Sequence, residues 1–257
     1  MLKIKNLNKT FYLGMPEENR IFENFSVEAE KNKCTAILGA NGCGKSTLFN
    51  IISGSVKSDS GTIRLNDLEL EKMSEQKRAL HIGKVNQDPS KGVSPSLSIL
   101  ENMSIALKKG DRLSFKRLLK NTDIDLIVKK LRELDLGLED KLNTQVRYLS
   151  GGQRQSLSLL MATIKKPDLL LLDEHTAALD PKTSKIVMDK TADLIYREKI
   201  TTLMITHNLN HAIKYSSRII MLNKGKIVLD IKSSEITEEQ LNRLYNENIE
   251  RELKTTV

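Results

Sequence analysis

Three short segments of this chain carry residue types that could handle phosphate groups. The first, residues 39–46, reads Gly-Ala-Asn-Gly-Cys-Gly-Lys-Ser and fits the P-loop pattern G-x-x-x-x-G-K-[ST]. Glycines let successive backbone N–H groups turn toward phosphate oxygens, the lysine reaches the β- and γ-phosphates, and the hydroxyl ligates Mg²⁺. The pattern therefore predicts binding of ATP with Mg²⁺. The predicted nucleotide-binding residues here are Gly39, Ala40, Asn41, Gly42, Cys43, Gly44, Lys45, Ser46 and Thr47.

The elements around this segment are those that a P-loop requires. Residues 34–38 form a short apolar run typical of a buried strand, and a helical pattern runs from Ser46 to Ile52. The phosphates would then lie at a helix N-terminus, where unpaired N–H groups and the helix dipole favour anions. A glycine-rich turn that merely contains a lysine would not have this strand, loop and helix around it.

A second segment has two carboxylates directly after an apolar run. Residues 169–172 are four leucines, a pattern typical of a central parallel strand covered on both faces, and Asp173 and Glu174 follow. In α/β sheets, ligands bind at the carboxyl ends of the strands. We therefore predict that Asp173 serves the Mg²⁺ ion and that Glu174 is the general base for an attacking water. The alternative is that the two carboxylates simply cap the next helix.

The third segment, residues 149–153, reads Leu-Ser-Gly-Gly-Gln and precedes a helical stretch. Its hydroxyl and exposed glycine N–H groups would form a second anion site at a helix N-terminus. The segment resembles the signature sequence of the nucleotide-binding subunits of ABC transporters, and the resemblance covers residues 1–230. It implies a homodimer, in which this segment binds the γ-phosphate of the ATP held by the partner's P-loop. The residues concerned are Ser150, Gly151, Gly152 and Gln153.

The resemblance also implies roles for single residues elsewhere. Gln87 resembles the Q-loop glutamine that touches Mg²⁺ and the attacking water, and Asp180 resembles part of the D-loop that crosses the dimer interface. His207 follows an apolar strand and resembles the switch histidine that contacts the γ-phosphate. Phe11 is predicted to stack on adenine, with Tyr12 beside it as the alternative.

Together these roles define two sets of residues. The predicted catalytic set is Glu174, Gln87 and His207. The predicted Mg²⁺ ligands are Ser46, Gln87 and Asp173.

Two departures from the common family pattern point to one subgroup of the family. His175 stands where most members have proline, and the Q-loop at residues 87–95 is unusual. Both resemble a bacterial subgroup, labelled tryptophan/tyrosine-type, that works with a permease and a substrate-binding lipoprotein. This implies uptake of an amino acid, unless His175 is a tolerated substitution unrelated to cargo. The alternatives are an exporter or lipid-type ATPase, a soluble non-transport ABC protein and a generic P-loop kinase.

Length and composition agree with a subunit whose membrane domain is a separate protein. The chain has 257 residues, enough for a substantial core, and no apolar run long enough to span a bilayer. The first residues lack the apolar core of a signal peptide, so we expect a cytoplasmic protein on the inner face of the membrane. Its two cysteines, Cys34 and Cys43, predict a reduced interior and no metal role.

The net charge of +8 raises the alternative of a nucleic-acid partner. We expect no nucleic acid, because translation-type members carry two cassettes and repair-type members carry a long coiled coil. We interpret a cluster of basic residues as a solvated helical face rather than a specific anion site. This face could also lie near anionic lipids. The members of the cluster are Lys108, Lys109, Arg112, Lys116, Arg117, Lys120, Lys129 and Lys130.

The predicted fold class is α/β: a P-loop NTPase (RecA-like) parallel sheet core with a flanking antiparallel β-subdomain and an inserted helical subdomain. Leu97, Leu100, Met103 and Leu107 recur at helical spacing within the insert, and residues 223–225 predict a hairpin turn. The predicted single domain, 1–257, divides into an ATP-binding core with the β-subdomain at 1–88 and 161–232, a helical subdomain with the signature at 89–160 and a C-terminal helical tail at 233–257. The tail is charged and helix-favouring, with a thin apolar stripe of Leu241, Leu244, Tyr245 and Ile249.

Overall fold

The computed structural model describes residues 1–110 and 120–254. The strands within these ranges are β1 (Leu2–Phe11), β2 (Asn19–Ala29), β3 (Cys34–Leu38), β4 (Ser60–Leu65), β5 (Leu68–Glu69), β6 (Ile82–Val85), β7 (Leu169–Asp173), β8 (Thr201–Ile205), β9 (Arg218–Asn223) and β10 (Lys226–Lys232). The α-helices are α1 (Lys45–Ser53), α2 (Glu75–Arg78), α3 (Ile99–Leu107), α4 (Asn121–Arg132), α5 (Gly151–Thr163), α6 (Pro181–Glu198), α7 (Leu209–Tyr215) and α8 (Glu238–Lys254).

The chain divides into two compact units. The first comprises Met1–Ala79 and Lys199–Val257, and the second comprises Leu80–Glu198. The first unit therefore holds β1 to β5 and β8 to β10, with α1, α2, α7 and α8. The second holds β6 and β7 with α3 to α6. The subdomain boundaries predicted from the sequence, including the helical insert at 89–160, stay a prediction.

An antiparallel sheet in the order β2-β1-β4-β5 forms one part of the first unit. Leu2 and Ile4 of β1 are buried and Lys3 between them is not, which is the period of a strand with one face on a core. β1 pairs with β2 from Leu2 opposite Ala29, and register shifts interrupt the pairing further along. Because bulges let a pair of strands bend and continue, the two strands run for 10 and 11 residues.

The remaining strands of the first unit form mainly parallel pairs. β3 pairs in parallel with both β8 and β9, and β10 returns antiparallel to β9. Every residue of β3 and β8 is buried, as expected of parallel strands covered on both faces. Lys224 and Gly225 join β9 to β10 with φ of 44° and 72°, the left-handed backbone that a two-residue hairpin needs. The hairpin predicted at residues 223–225 is confirmed.

In the second unit, β6 and β7 pair in parallel with Val85 opposite Leu172. The helices α3, α4 and α5 share an apolar core, whose buried members are Val93, Ile99, Met103, Ile127, Leu131, Leu134, Leu138, Val146, Leu149, Leu157 and Leu160. A capping box between Ser98 and Glu101 starts α3 at Ile99. The prediction that Leu97 lies in this helix was therefore wrong, since it precedes the capping residue.

The tail forms α8, in agreement with the helix-favouring sequence after residue 233. Leu241, the first residue of its predicted apolar stripe, is fully buried, and Tyr245 is half-buried. The side chain of Ile249, the last residue of that stripe, lies outside the described part. Among the residues that the structure describes, no helix combines the length and the apolar character needed to cross a bilayer.

The structure describes some residues of the basic cluster between the Q-loop and the signature. Lys130 pairs with Glu198 at 2.9 Å and with Glu133 at 3.3 Å. Partly exposed ion pairs of this kind support the interpretation of a solvated face. Three members of the cluster lie outside the described residues: Arg112, Lys116 and Arg117.

Arg78 caps the helix that follows the P-loop. Its Nη1 donates to the carbonyl oxygens of Ile51 and Ile52 at 2.6 and 3.1 Å, and its Nε donates to Met73 O at 3.2 Å. A cation at the C-terminal end of α1 also complements the helix dipole. Burial lowers the pKa of the Arg78 guanidinium, so these bonds are what hold its charge inside.

We expect Arg78→Ala to destabilise the protein by about 2–4 kcal/mol, because it removes charge-assisted hydrogen bonds from three carbonyls, two of them buried. Urea unfolding of the variant measures the change. Arg64→Ala is the matched control, because Arg64 pairs with Glu69 on the surface and its loss should cost less than about 1 kcal/mol. Equal unfolding midpoints for the two variants would contradict the capping role.

Candidate functional site

The loop between β3 and α1 has the backbone that its glycines predict. Gly39 follows β3 directly and has φ of +147°, and a Cβ at this position would collide with the carbonyl oxygen of Leu222. Only glycine fits here, because both the backbone conformation and the space exclude a side chain. Gly44 precedes α1 and has no side chain with which to cap it. The first N–H groups of α1 therefore need an anion or water as their partner.

Lys45 is the buried cation of this loop. Its side chain is 5% exposed, and Nζ donates to the carbonyl oxygens of Gly39 and Ala40 at 2.7 and 2.8 Å. These two bonds hold the ammonium among the N–H groups of the loop. Ser46 is exposed in the first turn of α1, where its hydroxyl is open to a ligand. Lys45 and Ser46 thus provide the charge and the oxygen that a nucleotide with Mg²⁺ requires.

His207, the predicted switch histidine, and the P-loop both follow strands at the same edge of the first unit. Ile37 of β3 lies opposite Ile205 of β8, and Gly39 and His207 each follow that pair by two residues. Since the strands are parallel, both positions lie beyond their carboxyl ends, where ligands bind in α/β sheets. His207 is exposed, and its Nδ1 lies 3.3 Å from Tyr245 Oη.

The second unit repeats this arrangement with Gln87 and Glu174. Val85 of β6 lies opposite Leu172 of β7, and Gln87 and Glu174 each follow that pair by two residues. The structure thus brings Gln87, Asp173 and Glu174 to one strand edge, and their roles there stay predictions. Asp173 and Glu174 are half-buried, and Glu174 has φ of +46°. This is the left-handed backbone that residues other than glycine seldom adopt.

His175 fastens the loop that carries Glu174. The imidazole is 3% exposed, and its Nε2 lies 3.3 Å from Thr191 Oγ1 on α6. The Thr191 hydroxyl donates to Val187 O at 2.7 Å, so it accepts from His175 and the proton lies on Nε2. The sequence marked His175 as a departure from the family but did not indicate this partner.

We expect Thr191→Val to destabilise the protein by about 1–3 kcal/mol, because it removes the hydroxyl that accepts from the Nε2–H of the buried His175. It should also slow turnover, since the loop that carries Glu174 loses its hydrogen bond to α6. Thr191→Ser is the control, because it keeps the hydroxyl. Urea unfolding and ATP turnover measure the two effects, and a Val variant matching wild type in both would exclude this role.

The signature segment begins α5 with a capping box. Ser150 Oγ accepts from Gln153 N at 3.3 Å, and Gln153 Oε1 accepts from Ser150 N at 3.1 Å. A Cβ at Gly152 would collide with Thr183 Cγ2 on α6. Gly152 therefore serves helix packing as well as any ligand, a role that the sequence did not indicate. The N–H groups of Gly151 and Gly152 belong to the first turn of α5, which suits an anion.

Gln155, one turn into α5, was missed by the sequence analysis. It is fully buried, and its Nε2 donates to the carbonyl oxygen of Asn86 at 3.3 Å, one residue before Gln87. The sequence carried no signal for this contact, because Gln155 stands among other polar residues, Gln153, Arg154 and Ser156. It connects the signature helix to the Q-loop within the second unit.

Asp180 caps helix α6. Its Oδ1 accepts from Thr183 N at 3.0 Å, and Pro181 opens the helix behind it. Hydrogen bonds from the side chain and backbone of Thr183 hold the pKa of the Asp180 carboxyl below its usual range. Asp180 is thus an ionised cap in the chain itself, whatever it contacts in a partner.

The two aromatic residues at the end of β1 differ in exposure. Phe11 is half-buried with Lys9 Nζ 5.0 Å from its ring centre, whereas Tyr12 is 63% exposed. Their ring centres lie 6.5 Å apart. Both can reach a ligand's flat ring, and the choice of Phe11 over Tyr12 stays a prediction.

Both cysteines are buried, and neither forms a disulfide. Burial raises the pKa of the Cys34 thiol to about 12, so it stays protonated and unreactive. Cys43 lies within the P-loop, with its sulfur 4.0 Å from Lys45 Nζ. Neither contributes a metal ligand in the described residues.

Strand, glycine loop, buried lysine and helix N-terminus together define a P-loop nucleotide-binding protein. Residues 22–177 match the family model described as ABC transporter. The chain is 49% identical, over 235 residues, to the tyrosine transport ATP-binding protein of Clostridioides difficile (strain R20291), which covers 91% of this chain and 93% of that protein. The chain belongs to the ABC transporter family.

Further relatives and solved structures agree. The phosphonates import ATP-binding protein PhnC of Lactococcus lactis subsp. lactis (strain IL1403) is 33% identical, covering 95% of this chain and 98% of that protein. A dimeric ATP-binding cassette, MJ0796 bound to ADP and Pi, superposes with a TM-score of 0.77 at 27% identity, covering 91% and 99%. The cbiO1 protein of Clostridium perfringens gives 0.80 at 25% identity, covering 97% and 96%.

These findings confirm the predicted fold class and the predicted function at the level of the family. The chain is the ATP-binding subunit of an ABC transporter and belongs to its ATPases. The roles of individual site residues stay predictions.

Proposed function

We propose that this chain hydrolyses Mg²⁺-ATP to drive uptake of an aromatic amino acid, tyrosine or a close analogue, through a separate permease. The proposal that the transported solute is tyrosine or an analogue rests on sequence identity. The chain is 49% identical to the tyrosine transport ATP-binding protein and 33% identical to the phosphonate importer subunit. The departures at His175 and in the Q-loop support the same subgroup.

ATP binds to the P-loop in this proposal. The N–H groups at the start of α1 and the Lys45 ammonium contact the phosphates, and Phe11 or Tyr12 stacks on the adenine. The Mg²⁺ ligands would come from Ser46, Gln87 and Asp173. The ion would supply charge that neutralises the phosphate oxygens. Hydroxyl, amide and carboxylate oxygens are the ligands that Mg²⁺ prefers, so the donor set fits.

Hydrolysis requires a water held in line with the γ-phosphate. Glu174 accepts the water proton as the oxygen–phosphorus bond forms, and the bond between the γ-phosphorus and its bridging oxygen breaks to release ADP and phosphate. Gln87 orients the water, and His207 donates to a γ-phosphate oxygen. The positive φ of Glu174 and the buried His175 beside it support this proposal, because they constrain the backbone that carries the carboxylate.

The active unit is a homodimer in this proposal. Ser150, Gly151, Gly152 and Gln153 of one protomer bind the γ-phosphate of the ATP on its partner, and Asp180 lies at the interface. The dimeric cassette MJ0796 supports this, as it superposes over 91% of the chain. ATP closes the dimer and hydrolysis reopens it, which moves the permease between its two states. The protein then lies on the cytoplasmic face of the membrane, with a substrate-binding lipoprotein on the other side.

The test is purification of the tagged Glu174→Gln variant with Mg²⁺-ATP from membranes of cells that make the whole system. We expect a permease and a lipoprotein to copurify. The complex rebuilt with wild-type chain in liposomes should hydrolyse ATP faster when the lipoprotein carries tyrosine. Methylphosphonate is the control ligand, and it should not stimulate hydrolysis.

Three results would contradict the proposal at different levels. Stimulation by methylphosphonate instead of tyrosine would overturn the cargo. A permease without a lipoprotein would overturn uptake and favour an exporter. Recovery of ribosomes or nucleic acid without a membrane protein would overturn transport altogether.

A further inference from the structure

Helix α8 is fixed to the rest of the first unit at its N-terminal end. Asn210 of α7 donates to Glu238 Oε2 at 2.9 Å, and Leu241 is fully buried. Thr237 and Gln240 form a reciprocal cap ahead of the helix. Residues in the following turns of α8 therefore have a defined position.

Those turns face the phosphate-binding loop. Tyr245 and Asn248 line a narrow cleft together with Gly39 and Ala40 of the P-loop and with the end of β9. Tyr245 Oη also lies 3.3 Å from Nδ1 of His207. A single helix thus contacts both the loop that cradles phosphate and the histidine that follows β8.

The contact with Nδ1 bears on which ring nitrogen of His207 carries the proton. A neutral imidazole has one N–H, and the hydrogen bond made by one nitrogen sets the role of the other. A phenol hydroxyl is a good donor that stays protonated at neutral pH. If it donates to Nδ1, the proton lies on Nε2. Of the two neutral tautomers, only that one can donate from Nε2 to an anionic oxygen.

We propose that Tyr245 is a positioning residue for His207: its hydroxyl fixes the ring and keeps the proton on Nε2, ready for the γ-phosphate. The proposal rests on the proposed function, in which His207 contacts that phosphate. It makes the C-terminal helix part of the hydrolytic machinery. Displacement of α8 by a partner would then slow hydrolysis without removing any residue of the motifs.

The first test is the turnover of Tyr245→Phe, which removes one oxygen and keeps the ring. We expect kcat to fall about 3- to 10-fold, the value of one neutral hydrogen bond, with KM little changed. The same change in a His207→Ala background should have no further effect, because the two residues act together. Tyr215→Phe is the control, since it removes a hydroxyl on α7 that contacts Lys214.

The second test needs no catalysis. The ¹⁵N resonances of the four histidines separate Nε2–H from Nδ1–H tautomers, and His207→Ala assigns the relevant pair. We expect Nε2–H for His207 in wild type and a mixture in Tyr245→Phe. Unchanged tautomer and unchanged kcat would overturn the inference while leaving the ATPase intact. A wild-type protein without ATPase activity would instead overturn the proposed function, and the resonances would still report on Tyr245.

Discussion

Glu174→Gln is expected to bind ATP normally and to lose turnover by about 10²- to 10⁴-fold. The amide has the shape of the carboxylate but cannot accept the proton of the attacking water, and general-base catalysis contributes that much. Since binding depends on the P-loop, nucleotide affinity should stay within about twofold. Steady-state phosphate release and equilibrium binding of a fluorescent ATP analogue measure the two quantities separately.

Asp168→Asn is the matched control, because Asp168 immediately precedes β7, at the end opposite Glu174, and contacts His81 at 2.8 Å. It removes the same charge from the other end of the strand and should keep turnover. A Glu174→Gln variant that hydrolyses ATP as fast as wild type would show that Glu174 is not the general base. Loss of turnover in both variants would point to a general effect of charge or folding.

Lys45→Ala should weaken ATP binding by roughly 10- to 100-fold, since hydrogen bonds to a charged group are worth about 1.5–3 kcal/mol. The variant loses the buried ammonium that bonds the Gly39 and Ala40 carbonyls, so the loop also loses its internal support. Isothermal titration with Mg²⁺-ATP measures the affinity, and thermal unfolding reports any loss of stability.

Lys57→Ala provides the control for net charge, because Lys57 is exposed just beyond the other end of α1. It should bind ATP as wild type does. If Lys45→Ala kept wild-type affinity, the phosphates would not lie in this loop. If both variants weakened binding equally, the effect would be one of long-range charge.

The parts of the site that depend on neighbours in the sequence could be predicted from it. The P-loop is one unbroken segment whose glycines, lysine and serine each have a local reason. The apolar run before Asp173 predicted a buried strand, and its direction placed Asp173 at the carboxyl end of that strand. Gln87 and His207 were predicted as site residues through the resemblance alone. In the structure each lies two residues past a paired position of parallel strands.

The parts that depend on distant contacts could not be predicted. Arg78 reaches carbonyls 26 and 27 residues away, and Tyr245 reaches His207 across 38 residues. No periodicity encodes such pairs, because they arise only when separate elements pack. Gly152 illustrates a related limit: its pattern predicted an anion site, while its steric need comes from Thr183 on another helix.

The central claim is that each ATP is held by the P-loop of one protomer and the signature of its partner. Mixing Glu174→Gln with Ser150→Arg tests it directly, because each variant alone should be inactive. In a mixed dimer one site carries both defects and the other carries neither, so a random mixture should regain about a quarter of wild-type turnover. A mixture as inactive as its two components would contradict the shared site.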